Sequence, residues 1–351
     1  MSSIIILENK AVCGNVESQL ELAFMYKYGL NVKKSEGLAE YWTKKAAEKG
    51  DLTAVGQQYL FGYGVRKSYE KAVECFNKAA IKGNARAQNN LGTCYSDGQG
   101  VEQSYEKAVE WFTKAAEQGY YQAQHNLGVC YYKGQGVEHS FEKAVEWYAK
   151  AAEQGFAPSQ CNFGVSYEWG LGVDKSYEKA VEWYTKAAEQ GYARALNNLG
   201  LCYEYGRGVE KSYEKAVELF TKAVEQGFAP AQDNLGICYE YGRGVERSYE
   251  KAVEWYTKAA EQGFAPAQYN LGECYYNGQG VEQSYEKALR YYVKSALKGH
   301  LLAGKEIETM AKENENLIIK EIEYQKKKLD LDAITREEYD KIKNLLKRYI
   351  D

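Results

Sequence analysis

Eight cysteines in this 351-residue chain could form disulfides, bind a metal ion or act as nucleophiles. Five of them recur at one position of a 36-residue repeat: Cys94, Cys130, Cys202, Cys238 and Cys274. Equivalent positions in stacked helix pairs lie about 8–10 Å apart, whereas a disulfide needs Cα atoms within about 7 Å of each other. We therefore expect these cysteines to be buried, reduced thiols, which is typical of cytoplasmic proteins.

The other candidate groups do not form a catalytic or metal-binding set. The three histidines, His125, His139 and His300, fall at different repeat positions, and no Cys-x-x-Cys sequence occurs, so we expect no metal site. Paired glycines such as Gly98 and Gly100 resemble nucleotide-binding loops, but they follow predicted helices and recur in every repeat. The sequence predicts no enzyme activity, no catalytic residue and no cofactor.

The composition excludes several classes of protein. Hydrophobic residues make up 45% of the chain and its mean hydropathy is −0.61, too apolar for a disordered chain and too polar for a membrane protein. No apolar run approaches about 18 residues, and no signal peptide is recognisable. A net charge of −4 gives no reason to expect nucleic acid as a partner. We expect a cytoplasmic protein without a membrane partner.

Glycine spacing shows that the chain repeats every 36 residues. A pair of glycines separated by one residue marks the middle of each unit except the first, where Asn31 takes the place of the second glycine. The second unit lacks three residues near the start of its first helix. Eight units therefore span residues 15–299. The glycines that close successive units are Gly83, Gly119, Gly155, Gly191, Gly227, Gly263 and Gly299.

Each unit has the pattern of two helices. In residues 84–119, apolar residues at helical spacing predict a first helix that ends at Gly98. Ser104 is placed to cap the second helix, and Gly119 ends it. One unit cannot bury its apolar face alone, so neighbouring units must stack. The predicted fold is an all-α solenoid of about eight 36-residue helix-turn-helix repeats, followed by a C-terminal helical hairpin.

One motif recurs in every unit. In the fourth unit it reads A-x-x-x-L-G-x-x-Y-x-x-G-x-G-V from Ala123 to Val137, then K-A-x-x-W-Y-x-K-A-A-x-x-G from Lys143 to Gly155. The motif resembles the Sel1-like repeat, a relative of the tetratricopeptide repeat. The resemblance implies a right-handed superhelix of helical hairpins that serves as a scaffold or adaptor. Proteins of this kind are non-catalytic and common in bacterial signalling and host interaction.

The two ends of the chain depart from the repeat. Residues 1–14 are predicted to form an N-terminal capping segment, and residues 300–328 an extended ninth first helix. Residues 329–351 contain a capping box of Thr335 and Glu338 that opens a last helix. The sequence ITREEY in this stretch resembles the SHOCT (short C-terminal) module, which implies an oligomerising or docking hairpin. A hairpin that only caps the end of the solenoid is an equal alternative.

Repeat positions with variable residue types are the candidates for partner contact, because they are free of a packing duty. They lie in the first helices, which line the concave face of related solenoids. Glu204 and Glu240 favour a partner with basic and apolar groups, although Arg207 and Arg243 lie nearby. The alternative is that these positions are only neutral surface. The aromatic candidates, of the kind that dominates binding hot spots, are Tyr132, Trp169, Tyr205, Tyr241, Tyr269 and Tyr276.

A repeated asparagine is a further candidate. Because asparagine is a poor helix former, its recurrence in six successive first helices requires an explanation. It either bridges neighbouring hairpins through hydrogen bonds or forms an amide ladder that grips an extended peptide. The six residues are Asn90, Asn126, Asn162, Asn198, Asn234 and Asn270.

These features together predict a non-catalytic scaffold or adaptor that binds a protein or peptide in a concave groove. Two alternatives remain open. One is a structural scaffold that forms homo-oligomers through residues 329–351. The other is an exported effector that binds host proteins.

Overall fold

A computed structural model describes residues 2–331 and 333–349 of the chain. These residues form twenty α-helices and contain no β-strand. In chain order the helices are α1 Ser2–Val12, α2 Val16–Tyr28, α3 Glu36–Ala47, α4 Leu52–Phe61, α5 Tyr69–Ile81, α6 Ala85–Asp97, α7 Tyr105–Glu117, α8 Tyr121–Lys133, α9 Phe141–Glu153, α10 Ala157–Trp169, α11 Tyr177–Glu189, α12 Ala193–Tyr205, α13 Tyr213–Val224, α14 Ala229–Tyr241, α15 Tyr249–Glu261, α16 Ala265–Asn277, α17 Tyr285–Ala296, α18 Leu301–Glu313, α19 Glu315–Asp330 and α20 Arg336–Lys347.

Helices α2 to α17 form eight successive hairpins. The helices group into two compact units, Met1–Ala195 with Arg207–Val209 and Leu196–Gly206 with Glu210–Asp351. In the first unit, α6 packs on α7, and α7 also packs on α8 of the next hairpin. In the second unit, α14, α15 and α16 pack on one another in the same way. The predicted all-α solenoid of helical hairpins is therefore confirmed.

The local sequence sets both ends of the helices. Ser104 Oγ accepts a hydrogen bond from the backbone N–H of Lys107 at 3.3 Å, at the start of α7, where N–H groups lack partners inside the helix. Helix α6 ends at Gly98, whose φ of +67° lies in the left-handed region that residues with a Cβ disfavour. The predicted roles of Ser104 and Gly98 are confirmed.

A second recurring glycine lets the two helices of a hairpin approach closely. At Gly236 of α14, an added Cβ would lie 2.5 Å from the ring of Tyr256 on α15, which is fully buried. The same glycine faces an aromatic ring in seven hairpins, whereas α2 of the first hairpin has Ala23 at this position. The ring fills the space that a side chain on the first helix would need, and burying it stabilises the hairpin.

A third recurring glycine determines how neighbouring hairpins stack. Gly172 follows α10 with a φ of +70°, and an added Cβ would lie 2.4 Å from the carbonyl carbon of Phe141, at the start of α9. The obstacle is backbone, which cannot rotate aside as a side chain can. Only glycine is therefore compatible with this spacing. The equivalent residues with the same close approach are Gly100, Gly136, Gly208, Gly244 and Gly280.

The helix predicted to run on through residues 300–328 is in fact two helices, which corrects that prediction. Helix α18 ends at Glu313 and α19 begins at Glu315. Asn314, between them, has a φ of −154° and a ψ of 84°, outside the helical region. Asparagine is a poor helix former, and the break allows α19 to pack against α17 as well as α18.

The C-terminal hairpin, α19 and α20, packs on the end of the second unit. Ile318 of α19 and Leu346 of α20 are fully buried, in one apolar cluster with Ile307 of α18. The predicted capping box is present, because Thr335 Oγ1 accepts from the backbone N–H of Glu338 and Glu338 Oε2 accepts from that of Thr335. The hairpin thus covers apolar side chains that would otherwise face solvent. At the other end, α1 packs on α2.

We expect Gly172→Ala to destabilise the first unit by about 2–4 kcal/mol, because it combines an unfavourable positive φ with a clash against backbone. Gly155→Ala is the matched control, since its φ is +89° but nothing lies within 4 Å of an added Cβ. The control should cost only about 1–2 kcal/mol. Thermal unfolding followed by circular dichroism measures both variants. Equal destabilisation would show that stacking does not depend on the close approach.

Candidate functional site

The repeated asparagine joins the first helices of neighbouring hairpins. Asn126 Nδ2 donates to Asn89 Oδ1 at 2.9 Å in the first unit, and Asn234 Nδ2 donates to Asn197 Oδ1 at 2.8 Å in the second. Each acceptor is the residue just before the repeated asparagine in the preceding hairpin. This is the bridging role, one of the two that the sequence leaves open.

Other members of the asparagine series are placed differently. Asn162 Oδ1 accepts a hydrogen bond from Arg194 Nη1 at 3.2 Å, and Asn198 lies at the same repeat position on α12. Asn90 Nδ2 is buried and has no hydrogen-bond partner. Buried donors without partners are uncommon because their hydration is lost without compensation. Asn90 therefore retains hydrogen-bonding capacity that the fold does not use.

The aromatic candidates divide into exposed and half-buried rings. Trp169, Tyr205 and Tyr241 are the last residues of their helices and are 65%, 55% and 57% exposed. Aromatic side chains of this size contribute most to binding when a partner covers them. Of the remaining candidates, Tyr132 is also exposed, and the half-buried rings are Tyr269 and Tyr276.

Several acidic side chains on the first helices of the second unit lack a cationic partner. Glu240 accepts from the hydroxyl of Tyr256 at 2.5 Å, and Glu273 accepts from that of Tyr292 at 2.5 Å. Burial and the charge of Glu273 raise the pKa of Glu306. Within the part of the chain that the structure describes, no lysine or arginine forms a salt bridge with these three glutamates. These three carboxylates are therefore not compensated by an ion pair within the described residues.

Two arginines form ion pairs with glutamates of the preceding repeat. Arg207 Nη1 lies 3.3 Å from Glu168, and Arg243 Nη1 lies 2.8 Å from Glu204, so each arginine pairs with the glutamate 39 residues earlier. Glu204 is only 3% exposed and is not available to a partner, which corrects its prediction as a contact residue.

The pairing also explains why Glu240 stays without a cation. The residue 39 positions after Glu240 is Gln279, where the two preceding repeats have arginine. Glu240 therefore has no ion-pair partner among the described residues, whereas the equivalent Glu204 is paired and buried. The sequence contains this signal, but it can be recognised only once the spacing of the ion pairs is known.

In the first unit, helix α2 covers part of the face formed by the first helices. Arg86 of α6 is 4% exposed, and its Nη2 lies 2.6 Å from Glu17 and 3.0 Å from Glu21 of α2. The hydroxyl of Tyr121 on α8 donates to the same Glu21. The chain's own first repeat thus contacts the first helices of the third and fourth repeats.

This ion-pair cluster was not predicted from the sequence. Glu17 and Glu21 are four residues apart, a spacing that places both on one face of a helix. Arg86 stands at a repeat position that Gln122 and Pro158 fill in the next two repeats. These signals identify the residues but not their pairing, which depends on how α2 meets α6.

A cavity of about 560 Å³ lies in the first unit beside this cluster. Residues of α2, α4, α6 and α8 form its wall, together with the rings of Phe156 and Tyr192. Asn90 and Arg86 also line it. Its volume lies within the range of about 300–1,000 Å³ that is typical of ligand sites in proteins.

The cysteines of the repeat are buried thiols, as predicted. Burial raises the pKa of Cys94 to about 12 and that of Cys130 to about 11, so both remain protonated and weakly nucleophilic at neutral pH. Among residues 2–331 and 333–349, no three His, Cys, Asp or Glu side chains are grouped to hold a metal ion. No helix in the same residues is both long and apolar enough to span a membrane.

Comparison with known families finds a match along most of the chain. The sequence profile described as the Sel1 repeat matches residues 16–51, 52–84, 85–120, 122–156, 157–192, 193–228, 229–264 and 265–300. Sel1 repeat proteins generally mediate protein–protein interactions, and their scaffolds are generally non-catalytic.

Two solved structures are similar to this chain. The protein c5321, a protective antigen of uropathogenic Escherichia coli strains with an SLR (Sel1-like repeat) fold, is 37% identical with a TM-score of 0.61, over 92% of this chain and 71% of that one. A Sel1 repeat protein from Oxalobacter formigenes is 36% identical with a TM-score of 0.65, over 70% of this chain and 96% of that one.

A curated relative is similar over a shorter stretch. HRD3B of Arabidopsis thaliana, an ERAD-associated component of an E3 ubiquitin-protein ligase, is 34% identical over 92 residues, or 26% of this chain. The chain spans about 15% of the length of that relative. The shared segment is therefore a small part of HRD3B.

Asp233 makes the stability of the second unit depend on pH. It accepts a hydrogen bond from Asn270 Nδ2 at 2.9 Å, in the role that Asn197 fills one repeat earlier. Burial raises the pKa of Asp233 to about 7, although the bond from Asn270 acts in the opposite direction. Because the carboxyl ionises at lower pH in the unfolded chain, the contribution of Asp233 to the stability of the fold falls as pH rises from about 4 to above about 7.

We expect Asp233→Asn to remove this dependence and to stabilise the second unit at pH 8 by up to about 4 kcal/mol. Near pH 4 the variant and the wild type should unfold at nearly the same denaturant concentration. Asn197→Asp is the matched control and should introduce the same dependence in the preceding repeat. A difference between wild type and Asp233→Asn that does not change with pH would mean that Asp233 does not titrate in this range.

Proposed function

The chain belongs to the Sel1 repeat family, and on this premise we propose that it is a non-catalytic scaffold or adaptor that binds a protein or peptide partner on the face formed by its first helices. The observation that carries the proposal is the combination of exposed aromatic rings and uncompensated glutamates on that face. Tyr241 is 57% exposed, and Glu240 and Glu273 have no cationic partner among the described residues. A face held only for packing requires neither feature.

The chemistry of this face favours a basic and apolar segment of the partner. A lysine or arginine would compensate the charge of Glu240 or Glu273 and can also lie against an exposed tyrosine ring. Arg243 does not compete for these acids, because it is paired with Glu204. Leucine, methionine or aromatic residues of the partner would cover Tyr205 and Tyr241.

The acids are oriented before any partner arrives. The hydroxyl of Tyr256 donates to Glu240, and the hydroxyl of Tyr292 donates to Glu273. Both tyrosine rings are fully buried, so these glutamates lose little additional side-chain freedom when they bind. A preformed face of this kind lowers the entropic cost of association.

We propose a cytoplasmic location for this scaffold. The support is chemical: the cysteines at the repeated position are thiols, as is usual where glutathione and thioredoxin maintain a reducing environment. We therefore expect its partners to be cytosolic proteins.

We expect the wild-type chain to capture a partner from native cytosol. The variant Trp169→Ala/Tyr205→Ala/Tyr241→Ala should recover at least about tenfold less of this partner, since each truncated anchor typically costs about 1–2 kcal/mol or more of binding free energy. Mass spectrometry of the bound proteins gives the measurement. The control is Tyr41→Ala/Ile81→Ala, which removes exposed apolar side chains from the second helices α3 and α5. Equal loss with the control, or no loss with the triple variant, would rule out this face.

Self-assembly through residues 329–351 is a separate hypothesis that the packing of the tail disfavours. Leu346 and Tyr339 of α20 are buried within the chain itself. We therefore expect light scattering of the purified protein to give the mass of a single chain, 39.8 kDa. A multimer that is lost on replacing the exposed Leu331 with Asp would instead support assembly through the tail.

A further inference from the structure

Helix α4 is shorter than the other first helices of the first unit. It has 10 residues, whereas α6 and α8 have 13 each. Its start matches that of α6, because Asp51 Oδ1 caps the backbone N–H of Ala54 at 2.8 Å just as Asn84 Oδ1 caps that of Ala87 at 2.8 Å. Both helices therefore begin with the same kind of side-chain cap.

The other end of α4 also matches α6. Gly56 faces the ring of Phe76 on α5, as Gly92 faces the ring of Phe112 on α7. Both helices then end at a left-handed glycine. Counted back from Gly56, the first residue of α4, Leu52, falls where α6 has Gln88, so α4 begins three residues closer to this glycine than α6 does.

Asn90 lacks the bridge that its counterpart makes in the next repeat. Asn126 donates to Asn89 of α6. Counted back from Gly56, α4 has Thr53 in the place of Asn89, and Asn90 Nδ2 has no hydrogen-bond partner. The loss of nearly one turn of about 3.6 residues also explains why a cavity adjoins α4 and Asn90.

One face of α6 carries polar groups of the cavity wall. Arg86, Asn90, Thr93 and Asp97 are spaced by 4, 3 and 4 residues and all line the cavity, which places them on one side of the helix. Arg86 Nε is a second buried donor without a partner, and Asp97 supplies a carboxylate acceptor. Asn90 and Asp97 lie about 10 Å apart along the helix axis, the length of about three extended residues.

The wall also contains apolar side chains, and its lysine and arginine are already paired. Phe24 and Phe156 line the cavity with their rings. Lys27 Nζ lies 3.0 Å from Glu36, and Arg86 is paired with the two glutamates of α2. A ligand therefore meets hydrogen-bonding groups and apolar surface, but no positive charge in need of an anion.

We infer that the cavity bounded by the shortened helix α4 binds an uncharged, extended peptide segment of about three residues. A backbone carbonyl of the segment accepts from Asn90, a backbone N–H donates to Asp97, and an apolar side chain packs against Phe24 and Phe156. A peptide supplies the acceptor, the donor and the spacing together. The inference rests on the proposed function, since the segment belongs to the bound partner.

The probe for this site is N-acetyl-L-phenylalaninamide, which has amide groups and an aromatic ring but no charge. In the intact protein labelled with ¹⁵N-asparagine, the side-chain amide of Asn90 is assigned by its disappearance in Asn90→Leu. We expect this signal to shift saturably at millimolar probe, and Asn90→Leu to bind the probe at least about tenfold more weakly. Asn270→Leu, the equivalent change in the second unit, should bind it like the wild type. An unshifted Asn90 signal would overturn the inference.

Two further measurements sharpen the test. Phenethylammonium keeps the ring but replaces the amides with a cation, so tighter binding of this compound would overturn the assignment of an uncharged peptide. Inserting Gln-Asn-Asn between Ala54 and Val55 should complete α4, give Asn90 its acceptor and abolish probe binding. Undiminished binding by the folded insertion variant would contradict the inference, and Asn90→Leu remains decisive if that variant does not fold.

The same experiments separate this inference from the scaffold function. A partner captured by a protein that does not bind the probe would refute the cavity and leave the scaffold intact. Probe binding without any captured partner would refute the scaffold and leave a small-ligand site.

Discussion

The close approach of backbone to backbone between successive hairpins is the constraint on which the other interactions depend. At Gly244, for example, an added Cβ would lie 2.5 Å from the backbone of Tyr213 in the preceding hairpin. Because neither backbone segment can move aside, this contact sets the distance from one hairpin to the next. That distance in turn allows Asn234 to reach Asn197 and Arg243 to reach Glu204. The bridges between first helices therefore follow from the glycine spacing.

Much of the fold could be predicted because the repeat itself marks the helix ends. Ser104 and Gly98 have local roles, which depend on residues within one turn, and local roles can be inferred from spacing. The break at Asn314 could not be inferred in this way. Apolar periodicity that continues through Ile318 and Ile322 shows which side of the chain is buried. It does not show whether the next turn continues the helix or folds back on it.

The candidate site was less predictable, since its residues act across repeats. Glu204 and Glu240 occupy the same repeat position, yet only the first has an arginine 39 residues later. The sequence leaves the role of the repeated asparagine open because its acceptor, as at Asn89, lies at a repeat position with variable residue types. The contact between α2 and Arg86 joins residues 65 and 69 positions apart, a separation at which spacing carries no information.

A series of similar hairpins presents a difficulty to any elongated partner, because sliding by one repeat exchanges many of its contacts for similar ones. Such a partner would occupy several registers with similar free energy and would be held in none. The shortened helix α4 acts as a point defect in this otherwise periodic array. A segment that binds at the shortened helix can occupy only one register along the solenoid. The loss of three residues therefore gives a repetitive surface one unique binding position.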